Sequence, residues 1–326
     1  MNKKTKIIFF AILSIELLIT ISLLLYIYLK QNNIFSKISV TPLKKENLTF
    51  PKNSLNLKYF YELTPKTVQI EIPDWLPYKV TYTINKDDLN ERFDYPTSKP
   101  QDTFRIITLG DSFTFGQSVS TPDNWSEKLE DLFQTTFFCK GRAKIEVINL
   151  GVGGYDLEYA IARLKLRGIK YDPDMVIWFV KNDDFSMNNE IMTPAMNKYR
   201  DELKDKMHPD PSFPWSIKAI KEANEKYGEE TILNRQIEIL NSISNIFKNK
   251  LVFITFPQTM MKYKQILTNF ANFRPQTYFD EKLPDIYAPN MSSARLPDGH
   301  PSVEGHKLIA TSVFEYIKVN KLIPCR

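Results

Sequence analysis

Ser112 stands in "ITLGDSFTFGQSV", residues 107–119, where an apolar run of strand character stops at Gly110-Asp111. A serine hydroxyl is a weak nucleophile until a base takes its proton. Histidine is the side chain suited to that task near neutral pH, and the chain has three, His208, His300 and His306. His300 lies in "PDGHP", two residues after Asp298. That carboxylate is placed to fix the tautomer of His300 and to stabilise the imidazolium formed as Ser112 attacks. A plainer reading stands beside this one. An Asp-Ser pair after a strand is a common helix cap, "DGHP" is a common turn, and Ser302 can cap the helix that follows it. His306 reads as a helix-surface or capping residue, and His208, in "MHPDP", as part of a surface loop.

Acyl chemistry at a serine also needs hydrogen-bond donors aimed at the oxygen that becomes negative. Three candidates follow: the N–H of Ser112, a backbone N–H of the loop "NLGVGGYD", and the side-chain amide of Asn182. Gly151, Gly153 and Gly154 in that loop permit a close backbone approach. Other chemistries fit less well. "GDSFTFG" lacks the Gly-Lys-Ser/Thr ending of a phosphate loop, and "GVGG" lacks the spacing of a dinucleotide fingerprint. Asp111, Asp183 and Asp184 could gather carboxylates, but three dispersed histidines do not supply a zinc site. The expectation is no metal and no cofactor.

These residues sit where strand-like runs end. "FRIITLGD", "AKIEVINLG", "DMVIWFVKND" and "KLVFITFP" are apolar at nearly every position, and helical stretches such as "NWSEKLEDLFQTTF", "LEYAIARLKLRG" and "SVEGHKLIATSVFEYIKV" separate them. Strands of that kind are covered on both faces. The expected fold is therefore α/β, three layers with a parallel sheet, over residues 102–326, with right-handed crossovers. Ligands approach such a sheet at the carboxyl ends of its strands. Residues 185–231 exceed an ordinary βα connection and read either as a lid or as a peripheral helix pair. Residues 32–101 read as a strand-rich extension and linker, with "TVQIEI" and "KVTYTI" as strands.

The first residues differ in kind. From Ile7 to Leu29 the chain carries one acid, Glu16, over a length sufficient to cross a hydrocarbon layer of about 30 Å. Residues 1–31 are read as a cytoplasmic tip and an uncleaved membrane anchor rather than a cleaved signal peptide. Lys3, Lys4 and Lys6 before the span, against Lys30 and Lys37 after it, favour an extracytoplasmic domain. The net charge is +5, of which four lysines and Glu16 in residues 1–31 supply +3, so the other residues carry +2. A nucleic-acid partner is not implied. Cys139 and Cys325 make no disulfide framework, though a single bridge or two free thiols are both open.

Taken together, "GDSFTFG", "NLGVGGYD", "VKND" and "DGHPSVEGH" resemble, in order, the four motif blocks of the SGNH or GDSL hydrolase superfamily, over residues 104–318. The resemblance implies a flavodoxin-like α/β/α domain and a serine ester hydrolase that works without a cofactor. It implies Ser112 as nucleophile and first oxyanion donor, and Gly154, five residues after Asn149, as the second. Asn182 would be the third donor, and His300 the base with Asp298 as its acid. The sequence departs from the pattern twice. Val180 stands where glycine is usual, and one residue rather than two separates Asp298 from His300, which leaves Asp285 as an alternative acid. Removal of an acyl group, acetyl first, from an envelope or extracellular glycan is the expected activity, with acylated carbohydrate or small ester as substrate. An O-acyltransferase on cell-surface glycan and a noncatalytic envelope assembly protein are the alternatives.

Overall fold

A computed structural model of the protein describes residues 57–73, 75–136, 144–203 and 213–324. The span from Ile7 to Leu29, residues 32–56 of the extension, His208, Cys139 and Cys325 lie outside the described residues. Among the described residues no helix is long and apolar enough to cross a membrane.

The strands are β1 (Thr67–Glu71), β2 (Val80–Ile84), β3 (Thr103–Leu109), β4 (Lys144–Asn149), β5 (Met175–Phe179), β6 (Lys250–Ile254) and β7 (Thr277–Asp280). The helices are α1 (Ser112–Phe115), α2 (Trp125–Thr135), α3 (Leu157–Arg163), α4 (Asn182–Ser186), α5 (Asn189–Leu203), α6 (Phe213–Tyr227), α7 (Glu229–Ile246), α8 (Met261–Phe273) and α9 (Val303–Val319). β1 and β2 form an antiparallel hairpin. The other five strands form one parallel sheet in the order β4-β3-β5-β6-β7. The expected mixed α/β domain with a parallel sheet and flanking helices is thus the observed one. β7, "TYFD", escapes a sequence reading because it is four residues long and only half-buried at the sheet edge.

Every residue of β3 and of β5 is buried, as an unbroken apolar run requires of a strand covered on both faces. Alternate side chains feed two cores. Ile107, Leu109, Val176 and Trp178 pack with Leu157 and Ile161 of α3 and Leu240 of α7. Ile106, Val147, Ile177 and Phe179 pack with Leu129 of α2 and Val313 of α9. Trp125 and Trp178 are both interior, structural residues. Because β3 lies between β4 and β5, the chain first moves outward to β4 and then crosses back to β5. The two crossovers leave on opposite faces, which opens a crevice at the carboxyl end of β3. Ser112 follows that end by three residues.

One charged pair runs through this apolar interior. Arg105 of β3 sits opposite Glu146 of β4 and bonds it at 2.6 Å, while its guanidinium also donates to the carbonyls of Pro96, Thr97 and Tyr171. The pair satisfies itself and ties the proline-containing connector to the sheet. The hairpin of the extension packs on the same body as the sheet. Val80, Tyr82 and Ile84 of β2 share a small core with Phe115, Val119 and Leu296, next to the helix that begins at Ser112. The long segment after Phe185 is helical where described. It holds α5 and α6, which close with α7 around Met192, Ala223 and Ile232.

His306 corrects the expectation of a surface or capping residue. It is fully buried, and its Nδ1 accepts the backbone N–H of Trp125 at 3.2 Å. The reason is local: a Cβ on Gly305 would stand 2.1 Å from the carbonyl oxygen of Ala294, so the first turn of α9 presses against the chain and carries His306 inward. Burial, then the neighbouring His300, pulls its pKa from 6.5 down to about 3. The folded ring stays neutral where the unfolded ring takes up a proton, so its contribution to stability is complete above about pH 6.5 and is lost as pH falls toward 3. Asparagine at 306 keeps an acceptor for Trp125 and does not titrate. His306→Asn should therefore lose roughly 2 kcal/mol less stability than the parent between about pH 7 and pH 5, read from urea midpoints.

Candidate active site

Ser112 opens α1, and Asp111, not Ser112, is the cap. Asp111 accepts the N–H of Phe113 at 2.9 Å through one carboxylate oxygen and meets the Lys181 ammonium at 2.8 Å through the other. This leaves the serine hydroxyl unused by the turn. The N–H of Ser112, in the first turn of a helix, has no intrahelical acceptor, and it donates to no other group among the described residues.

His300 arrives from the loop before α9. Its Nε2 lies 2.9 Å from Ser112 Oγ and its Nδ1 lies 3.0 Å from Asp298 Oδ2. Since the carboxylate can only accept, Nδ1 carries the proton and Nε2 offers its lone pair to the serine. The short Asp-Gly-His spacing works because Gly299 takes φ +91°, a left-handed turn that L side chains disfavour. The turn doubles the chain back so that Asp298 Oδ1 also accepts the backbone N–H of His300 at 3.0 Å. Asp285 is engaged elsewhere, by the Gln258 side-chain amide and, at 2.9 Å, by the N–H of Tyr287. Of the two carboxylates, Asp298 is the one bonded to the His300 ring.

A further contact was not legible in the sequence. Ser118 Oγ lies 3.3 Å from Asp298 Oδ2, with Ser118 itself buried and at φ +65°. Its N–H donates to the hydroxyl of Tyr82 at 2.8 Å, and that hydroxyl donates to Glu71 at 2.6 Å. The hairpin of the extension thereby supports the acid of the histidine pair. No motif announces this, since a serine in "GQSV" has no signal of its own.

The glycine loop and the third strand end complete the surroundings of Ser112. A Cβ on Gly153 would stand 3.9 Å from Ser112 Cβ, so this loop lies against the serine. The Gly154 N–H donates to no group among the described residues. Asn182 follows β5, the neighbour of β3, and its Oδ1 accepts the N–H of Met260 at 2.8 Å. That bond fixes the amide, because an N–H can meet only the oxygen, and it leaves the NH2 group free for another acceptor. Val180, in place of the usual glycine, is buried and still delivers Asn182 to the start of α4.

Lys181 between them has an evident electrostatic role. Burial acts to lower its pKa, but Asp111 and then Asp183 outweigh it and hold the ammonium charged. The ammonium sits 2.8 Å from Asp111, 3.2 Å from Asp183 and 3.9 Å from the ring centre of Phe113. Two of the three carboxylates that could have gathered a metal are thus paired with a lysine.

Asp298, His300 and Ser112 are therefore hydrogen-bonded in series, with three hydrogen-bond donors at the same ends of adjacent strands. No family profile matches the chain, and no curated protein matches it. Solved structures do. A lipase/acylhydrolase from Enterococcus faecalis is similar at 17% identity over 67% of this chain and 96% of that one, with a TM-score of 0.41. A catalytic mutant of the acetylxylan esterase Axe2 from Geobacillus stearothermophilus is similar at 17% identity over 68% and 97%, with a TM-score of 0.44. A protein assigned to the G-D-S-L lipolytic family, from Desulfitobacterium hafniense DCB-2, is similar at 20% identity over 65% and 98%, with a TM-score of 0.38.

Proposed function

We propose that the chain is a serine ester hydrolase. The observation that carries the reading is the series from Asp298 Oδ2 to His300 at 3.0 Å and from His300 to Ser112 Oγ at 2.9 Å. Ser112 Oγ attacks the ester carbonyl carbon while its proton passes to Nε2 of His300. Asp298 holds the imidazolium in place. The N–H groups of Ser112 and Gly154 and the side-chain amide of Asn182 receive the oxyanion. Collapse expels the alcohol, which takes the proton from His300 and leaves an acyl-serine. Water then attacks the acyl carbon by the same route, giving the acid and free Ser112.

The substrate proposed is an O-acylated glycan of the envelope or cell exterior, with acetyl as the acyl group. The location rests on residues 1–31 as an anchor, and the acyl group on the motif resemblance. Full-length protein recovered with membranes should release acetate from an O-acetylated glycan, and Asn182→Ala should lower that kcat by about 10²–10³-fold, the usual effect of losing one oxyanion donor. Acyl transfer to an added glycan acceptor that outruns acetate release would replace the hydrolase reading with a transferase.

A further inference from the structure

The extension reaches the site a second time, at the peptide between Gly153 and Gly154. The hydroxyl of Tyr61 donates to the carbonyl oxygen of Gly153. In a trans peptide the C=O of one residue and the N–H of the next point in opposite directions from one plane. The carbonyl that Tyr61 holds therefore belongs to the same peptide as the Gly154 N–H, and fixing one end aims the other. We infer that Tyr61 is a positioning residue for the oxyanion site: it orients and polarises the Gly153–Gly154 peptide so that the Gly154 N–H faces the developing charge. The inference rests on the ester-hydrolase reading above.

Tyr61 is itself held in place. The backbone N–H groups of Lys58 and Tyr59 each donate to Glu190 of α5 at 2.9 Å, and the Tyr155 hydroxyl donates to the carbonyl of Tyr61. Its ring meets that of Tyr155 edge-on at 5.2 Å. Gly154 leaves little room for another arrangement. It takes φ +76°, and a Cβ there would stand 2.8 Å from the Tyr61 oxygen. On the far side of the loop, Asn189 donates to the carbonyl of Gly154 at 2.8 Å, so the peptides on both sides of Gly154 are anchored through their carbonyls. A hydrogen bond accepted by a carbonyl draws charge through the amide and makes the attached N–H a better donor.

Tyr61→Phe deletes the hydroxyl and keeps the ring. With p-nitrophenyl acetate, kcat should fall about three- to tenfold with KM nearly unchanged, the loss expected of one hydrogen bond felt in the transition state. An aryl trifluoromethyl ketone forms a hemiketal whose oxyanion stands where that of the substrate would, and its Ki should rise by the same factor. The thermal midpoint should stay within about 4 °C of the parent, which separates positioning from a loss of fold. A parental kcat, or a rise in KM with an unaltered ketone Ki, would overturn the role of Tyr61 and leave the hydrolase reading intact. Parental turnover in Ser112→Ala, run in the same assay, would overturn both.

Discussion

Ser112→Ala should lower kcat on p-nitrophenyl acetate by at least about 10⁴-fold, the scale seen when a serine nucleophile that works as a unit with its base is removed. The variant should stay folded, because among the described residues the serine hydroxyl bonds only His300, and the turn is capped by Asp111. What turnover remains reflects the oxyanion donors and binding alone, which persist without the nucleophile. The thermal midpoint and the far-UV spectrum check the fold while initial rates check the chemistry. A loss of only a few-fold would mean that water, not Ser112, attacks the ester.

The second large effect belongs to Asp298→Asn, with kcat lower by about 10³–10⁴-fold. The substitution preserves shape and reverses one hydrogen bond. An asparagine amide placed 3.0 Å from Nδ1 donates to it, so the ring proton moves to Nε2 and meets Ser112 with the wrong polarity. Asp285→Asn is the matched control. Asp285 accepts from Gln258 and Tyr287 and touches neither Ser112 nor His300, so steady-state kinetics should remain close to the parent. Equal losses in the two variants would place the supporting charge in the field of the loop rather than in the contact with His300.

Much of the fold was readable because its signals are dense. β3 and β5 are apolar at almost every position, and their burial on both faces is what that composition demands. The residues singled out as candidates are brought to one place: Ser112, Gly154 and Asn182 follow the ends of β3, β4 and β5, and His300 and Asp298 precede the last helix, although Gly154 was marked only by the motif resemblance. β7 was missed because an edge strand of four half-buried residues carries too little pattern. His306 was misread because helical spacing does not reveal that its turn is pressed against Ala294.

Ser118 and Tyr61 show a different limit. Their bonds to Asp298 and to the Gly153 carbonyl span 180 and 92 residues of chain, and neither serine nor tyrosine is marked by its neighbours in sequence. Such partners become visible only when the extension is seen to pack on the strand ends. The same packing explains why residues 57–101 act as part of the domain, with Arg163 and Glu62 paired across the junction and Arg92 bonded to Asp131 at 2.8 Å.

The central claim is that Ser112 is the one activated nucleophile, and covalent labelling tests it most directly. The protein is treated with an alkyl fluorophosphonate, digested, and mapped by peptide mass spectrometry alongside His300→Gln. The expected result is a single phosphonyl adduct on Ser112, formed in step with loss of esterase activity and almost absent from the histidine variant. An adduct on another serine, or full inactivation with Ser112 unmodified, would contradict it.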